Sequence, residues 1–318
     1  MPKSRQRDSQ HSPRFAQPAT FMRLSHQPEM DGVDVAIVGV PFDSGTSYRS
    51  GARLGPREIR AQSSLIRPYS YFQQVSPFEN QLVVDAGDID VPPVGSIEQA
   101  YASIEAGIRR ITSAGAVPIV VGGDHSISLP VLRAVAGQHG PVALVHFDAH
   151  IDTWGDYFGG KYFHGSPFRR AIEEGLLIES AYVQVGIRGP MYGEADDFDF
   201  QNAHRVSMID IRQFKEMGVA KTVERIRSVV GDRPTYVTFD IDSVDPAFAP
   251  GTGTPEVGGL TSYEAQELIR GLSGLRVSGC DVVEVAPQFD GPGQITSVLA
   301  ANLMFELLCV ITTGRDRK

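Results

Sequence analysis

Cysteine is scarce in this sequence: two among 318 residues, Cys280 and Cys309. Two thiols cannot build a disulfide framework, and each sits among apolar neighbours, where an inert buried thiol is the plain reading. Positive charge is also in short supply. Lys plus Arg number 29 against 38 Asp plus Glu, a formal net charge of −9, whereas nucleic-acid binding calls for a basic surface that displaces counterions. No long apolar run is present. The longest, residues 298–313, is broken by Asn302 and Glu306 and is too short to cross a bilayer. The first twenty residues have no apolar stretch; Lys3, Arg5, Arg7 and Arg14 stand there among Ser, Gln and Pro. A signal peptide is therefore not expected, and residues 1–20 read as a flexible tail or packing arm. The expectations are a cytoplasmic protein that engages neither membrane nor nucleic acid.

Short β-branched runs alternate with helical patterns. Strands are expected at 33–40, 81–84, 117–121, 142–147, 182–187, 235–239 and 281–285, and helices at 97–114, 129–138, 221–230 and 262–272. Strands that are apolar throughout and separated by helices indicate an α/β fold, with a mainly parallel sheet covered on both faces. No linker or repeat interrupts the pattern, so residues 1–318 read as a single domain.

Ligands of open parallel sheets bind at the carboxyl ends of the strands, and polar residues collect there. Gly122-Gly123-Asp124-His125 follows one apolar run, Asp148-Ala149-His150-Ile151-Asp152 a second and Asp240-Ile241-Asp242 a third, while Glu284 lies inside a fourth. In an extended chain, side chains at i, i+2 and i+4 point to one side. Asp148, His150 and Asp152 would then converge, as would Asp240 and Asp242, with His125 placed by a Gly-Gly turn. Four carboxylates would neutralise two divalent cations in a cleft where unpaired charge is costly. Any one of these acids alone would read as a turn or a helix cap; five period-2 candidates on two strands, joined by His125, read as a metal centre. Hard oxygen donors with imidazole suit manganese, and nickel or cobalt fits the same set. Asp124 and His146 read as supports for the ligands, and Asp43, Asp85, Asp88, Asp90 and Asp245 as turn formers.

Gly122-Gly123-Asp124-His125-Ser126, Asp148-Ala149-His150-Ile151-Asp152 and Phe239-Asp240-Ile241-Asp242-Ser243, with Asp245-Pro246 and residues 249–255, resemble the signature regions of the ureohydrolases. That family includes arginase, agmatinase, guanidinobutyrase and formiminoglutamase. The resemblance runs from about Gly39 to the C-terminus. It implies an arginase-like three-layer α/β/α fold and two Mn2+ held by His125, Asp148, His150, Asp152, Asp240 and Asp242. It further implies hydrolysis of a guanidino compound to urea and an amine by metal-activated hydroxide, and a homo-oligomer, trimeric or hexameric.

Glu284, isolated in an apolar run, matches the family's guanidinium-binding glutamate; without the resemblance an internal Arg partner would be the preferred reading. His164 matches the family's proton-shuttle histidine and is of a type that titrates near neutral pH. Thr254 stands between a contact with the reacting group and a role in its own turn. The substrate tail falls to loops 153–163 and 188–197. Asp156, Glu194 and Asp197 would suit a distal ammonium, and Lys161, Arg188 or tyrosine hydroxyls a distal carboxylate. His164-Gly165-Ser166-Pro167-Phe168-Arg169-Arg170 resembles the agmatinase and guanidinobutyrase branch more than arginase. Agmatine is therefore the first expectation, followed by guanidinobutyrate or guanidinopropionate. A single-zinc deacetylase of the same fold and a non-catalytic homologue are more remote; the second would be expected to lack ligands or His164, and all are present.

Overall fold

The computed structural model describes residues 3, 4, 6–193 and 196–315. Glu194, and the side chain of Asp197, lie outside the described residues. In chain order the elements are β1 (Val35–Val40), α1 (Gly55–Gln62), α2 (Pro77–Asn80), β2 (Val83–Asp88), α3 (Ile97–Ser113), β3 (Val117–Gly122), α4 (Ser128–His139), β4 (Val142–Phe147), α5 (Pro167–Glu173), β5 (Leu177–Ile187), α6 (Asp196–Ala203), β6 (Ser207–Asp210), α7 (Ile211–Val230), β7 (Thr235–Asp240), α8 (Ser262–Arg270), β8 (Val277–Val283) and α9 (Ile295–Arg315).

The eight strands pair in parallel throughout, in the order β2-β1-β3-β8-β7-β4-β5-β6. Each face is covered by helices, as all-parallel sheets require. The side chains of β1 show the alternation. Val35 and Ile37 join the core under α1, α7, α8 and α9, whereas Ala36, Val38 and Val40 join the one under α3, α4 and α5. Three helices start at capping boxes, Ser96 with Gln99, Asp210 with Gln213 and Thr261 with Glu264, so local chemistry sets where they begin.

Three differences from the sequence reading have physical causes. β6 was not expected, because an edge strand buries only one flank and Ser207-Met208-Ile209-Asp210 carries little apolar signal. β8 lies at 277–283 rather than 281–285, so Glu284 falls just beyond the strand, in a left-handed conformation with φ 63°. The apolar segment near the C-terminus forms a 21-residue helix, long and apolar enough by itself to cross a membrane. However, 83% of its apolar window is buried within the molecule, which makes it a core helix here.

The start of the chain lies against the body. Ser4 is buried; its hydroxyl donates to the Gln81 carbonyl and accepts the Val83 N–H. The Gln6 amide donates to the carbonyls of Met22 and Ile66.

Candidate metal centre and substrate cleft

The four central strands, β3-β8-β7-β4, end at one level. Val121, Val282, Phe239 and Phe147 stand in a single row across them, and the polar residues start within a few positions of that row. β3 leads to His125, β8 to Glu284, β7 ends on Asp240 and β4 leads to Asp148. Gly123 has no positive φ. Its need for glycine is a close approach: a Cβ there would stand 1.6 Å from the Phe42 carbonyl oxygen.

His125 is buried, and its Nδ1 stands 3.1 Å from Asp148 Oδ2, 2.9 Å from Asp152 Oδ2 and 3.1 Å from Asp240 Oδ2. None of these oxygens is placed to form a hydrogen bond with it. A buried ring nitrogen facing three carboxylates without a hydrogen bond is the geometry of a cation site. A second group forms beside it, with His150 Nδ1 lying 3.1 Å from Asp242 Oδ2 and 3.5 Å from Asp148 Oδ1. Donor atoms of His125, His146, Asp148 and Asp152 lie within 4.8 Å of one another, as do those of Asp148, His150 and Asp242; each group could hold a metal ion. Asp148 belongs to both.

All six residues expected as ligands are thus at one place, but not by strand alternation. β4 ends at Phe147, and the segment 148–152 curls past it, with Asp152 at φ 48°. Asp148 and Asp152 therefore both reach His125, while His150 turns to Asp242. Asp240 and Asp242 also part company, Asp240 joining His125 and Asp242, in a 3-10 turn, joining His150. Burial would raise the pKa of Asp148, but the neighbouring His125 and the hydrogen bond from His146 hold it well below the usual carboxylate range. Burial and the Asp148 charge push Asp152 up, and burial with Asp242 pushes Asp240 up.

His146 sits in the first group but spends both ring nitrogens on protein. The Gln184 amide faces Nδ1 at 3.3 Å, and the Tyr182 hydroxyl lies 3.0 Å from the same atom. Nε2 therefore donates to Asp148 Oδ2 at 2.7 Å. Its chemistry is to orient Asp148.

Glu284 and His164 face each other. Glu284 Oε1 accepts the His125 N–H at 2.8 Å and lies 3.0 Å from His164 Nδ1. His164 Nε2 accepts the Ser47 N–H at 3.1 Å and is 2.7 Å from the Ser47 hydroxyl. Burial opposes a charge on His164, but Glu284 outweighs it and raises the pKa to about 9, above the near-neutral value expected. Two divalent cations beside it would act in the opposite direction. Ser47 was missed because nothing in Gly45-Thr46-Ser47-Tyr48 distinguishes it from an ordinary polar loop.

A cleft of about 730 Å³ opens above these groups, lined by Ser47, His150, Asp152, Trp154–Tyr157, Phe163–Gly165, Pro190–Tyr192, Asp240, Thr254 and Glu256. Thr254 donates to Asp242 Oδ2 at 3.3 Å, so it touches the second candidate ligand group as well as its own turn. Arg188, a candidate for binding a distal carboxylate, is fully committed elsewhere. Its guanidinium donates to the carbonyls of Gly186, Asp242, Ser243, Glu256 and Val257, fixing the loop that carries Glu256. Lys161 lies over the Tyr162 ring and is not in the lining. The acids of the lining beyond the clusters are Asp156 and Glu256, beside the rings of Trp154, Tyr157, Phe163 and Tyr192. Glu256 was not singled out from sequence.

Comparison with known proteins agrees with this arrangement. The sequence profile described as Arginase family matches residues 33–309. The chain is 48% identical to a guanidinopropionase from Pseudomonas aeruginosa, over 98% of this chain and 96% of the relative. It is 47% identical to a guanidinobutyrase from the same organism, over 94% of each. Among solved structures, the proclavaminate amidino hydrolase of Streptomyces clavuligerus superposes with a TM-score of 0.91 at 46% identity, covering 95% of this chain and all of that one.

Proposed function

The chain belongs to the arginase family, whose hydrolases act on guanidino compounds, and we propose that it holds two divalent cations, manganese foremost, and hydrolyses agmatine to putrescine and urea. The observation that carries the metal reading is His125 Nδ1, buried without a hydrogen bond among three carboxylates. His125, Asp148, Asp152 and Asp240 would hold one cation, and Asp148, His150 and Asp242 the other. Bound there, the pair would lower the pKa of a water molecule and supply a nucleophile at neutral pH.

The remaining work falls to the chain's own residues. Glu284 Oε1 is taken up by His125 and His164, while Oε2 faces Gly253 with no protein hydrogen bond among the described residues. That oxygen is available to a guanidinium N–H, and the carboxylate to its charge. His164, held at Nδ1 by Glu284 and with Nε2 beside Ser47, takes up a proton at Nε2, which Glu284 favours, and passes it to the departing amine. Trp154, Tyr157, Phe163 and Tyr192 limit water at the cleft and offer ring faces to a cation.

The tail assignment rests on charge. The four aspartates of the clusters are offset by two divalent cations, which leaves Asp156, 3.7 Å from Arg170, and Glu256, 3.6 Å from His150 Nε2, as the acids at the mouth, and no Lys or Arg is in the lining among the described residues. An ammonium tail suits that field and a carboxylate tail does not. A second reading, a guanidino acid as substrate, is favoured by the names of the two Pseudomonas relatives. Urea release from agmatine, 4-guanidinobutyrate and 3-guanidinopropionate by manganese-loaded protein separates the two. The highest kcat/KM is expected on agmatine; a preference for either acid overturns the tail assignment, and no urea from any of the three overturns the reaction.

A further inference from the structure

Directly beneath the first cluster lies a buried carboxylate that the mechanism does not use. Asp281, in β8, is fully buried and paired in register with Thr238 of β7. Three hydroxyls converge on it. Ser128 and Tyr236 each donate to Oδ2 at 2.6 Å, and Thr238 donates to Oδ1 at 2.5 Å. Burial and the Asp281 charge push the Tyr236 phenol well above its ordinary pKa, so it remains a donor. The Thr238 proton is thereby committed to Asp281. Its oxygen has only lone pairs left to offer, and these face His125 Nε2 at 2.8 Å. For that contact to be a hydrogen bond, Nε2 must carry a proton.

We infer that Asp281 is a positioning residue which, through Thr238, keeps the proton on His125 Nε2 and so leaves Nδ1 as the ring atom for a cation. The consequence lies 2.9–3.1 Å away, at the carboxylates of Asp148, Asp152 and Asp240. A histidine with its proton on Nδ1 would aim an N–H into the space between those oxygens and could not ligate from that side. The inference rests on the metal reading above, but its first step, the site of the proton, does not.

Asparagine at 281 makes the sharpest test. Its amide oxygen is best placed where two hydroxyls donate, at the Ser128 and Tyr236 side, which puts the NH2 group against Thr238. Thr238 then accepts from the amide and must turn its own proton toward His125 Nε2, which loses its N–H. Thr238→Val removes the relay while keeping the shape; Thr238→Ser restores the hydroxyl.

The experiment has two readouts on the same preparations. The first is the imidazole 15N spectrum of metal-free protein. At a pH high enough that the ring carries a single proton, a His125 Nε2–H signal is expected in the wild type and in Thr238→Ser, and it should vanish in Asp281→Asn. The second is the manganese dissociation constant, measured against a competing chelator. It should rise by about 10–100-fold in Asp281→Asn and Thr238→Val, the usual effect of losing a ligand's orienting partner, and should recover in Thr238→Ser. An Nε2–H signal that persists in Asp281→Asn overturns the relay, and so does manganese affinity in Thr238→Val equal to that of the wild type. If Asp281→Asn does not fold, Thr238→Val and Thr238→Ser still decide the matter: a lower Tm with unchanged manganese affinity would make the network scaffold only. Absence of manganese binding by the wild type would instead refute the metal reading, with the spectrum still deciding where the proton lies.

Discussion

At the residue scale, Glu284 shows how a single carboxylate is held by backbone geometry together with His164. It is buried just past the end of β8 in a left-handed conformation. Its N–H donates to the Gly123 carbonyl, and Oε1 collects the His125 N–H and His164 Nδ1. Glu284→Gln retains an oxygen for both donors, so the fold and the ligand set should be preserved while the charge facing the guanidinium is lost. Tm should stay within a few degrees of the wild type, and kcat/KM should fall by about tenfold for each 1.4 kcal/mol of lost interaction. A buried structural ion pair would respond the other way, because stranding one partner costs about 3–5 kcal/mol of stability. A large fall in Tm with intact kcat/KM would therefore place Glu284 in the scaffold. The residues most legible in the sequence were those whose type is rare after an apolar run: His125, Asp148, His150, Asp152, Asp240 and Asp242. Ser47, Thr238 and Asp281 were not legible, since a serine in a loop or a threonine in a strand is commonplace. Their meaning comes from what the fold sets across from them.

At the element scale, continuous apolar runs located the sheet well, whereas period-2 alternation served the site poorly. Runs such as 117–121 and 142–147 are apolar throughout because both faces are covered, and the structure places β3 and β4 over them. The same alternation carried into Asp148–Asp152 failed because the chain has already left the strand there. The short connection before β1 offers a test of how elements are tied. The Asp34 carboxylate accepts the Leu82 N–H at 2.9 Å, Arg315 of α9 at 2.9 Å and Lys3 of the N-terminal segment at 3.4 Å. Burial works to raise its pKa, but the Leu82 N–H and the charges of Lys3 and Arg315 outweigh it, and the net shift is downward. A carboxylate with a depressed folded pKa contributes stability that is present above its unfolded pKa, about 3.9, and is lost as pH falls through the folded value. Asp34→Asn should thus cost on the order of 1 kcal/mol at pH 7, the range of a partly buried charge-assisted hydrogen bond. The cost should shrink as pH falls through the folded value. Urea unfolding of wild type and variant checks this; an equal difference at pH 7 and pH 2.5 would rule out the ionic clasp.

At the scale of the whole molecule, the ends of four central strands concentrate acid in a chain already at net charge −9, and the way that charge is balanced should govern stability. Without divalent cations, protons must do the balancing. Burial opposes a charge on His125 and His150, yet the surrounding aspartates raise both well above the ordinary histidine value. Burial and neighbouring carboxylates raise Asp152 and Asp240; Asp148 is shifted down and works the other way. Four groups with raised folded pKa values mean that the folded protein binds more protons than the unfolded chain. Their contribution is complete below the unfolded pKa values, about 4 for Asp and 6.5 for His, and is lost as pH rises through the folded values. Cations displace those protons and remove the dependence. The chelated protein should therefore lose Tm steadily from pH 5 to pH 8.5, whereas the manganese-loaded protein should change little, so the gap between them should widen with pH. Thermal melts of both forms across that range decide it. A gap that is constant or narrows toward alkaline pH would mean that protons and cations do not compete for this centre, and the assignment of these residues as ligands would fail with it.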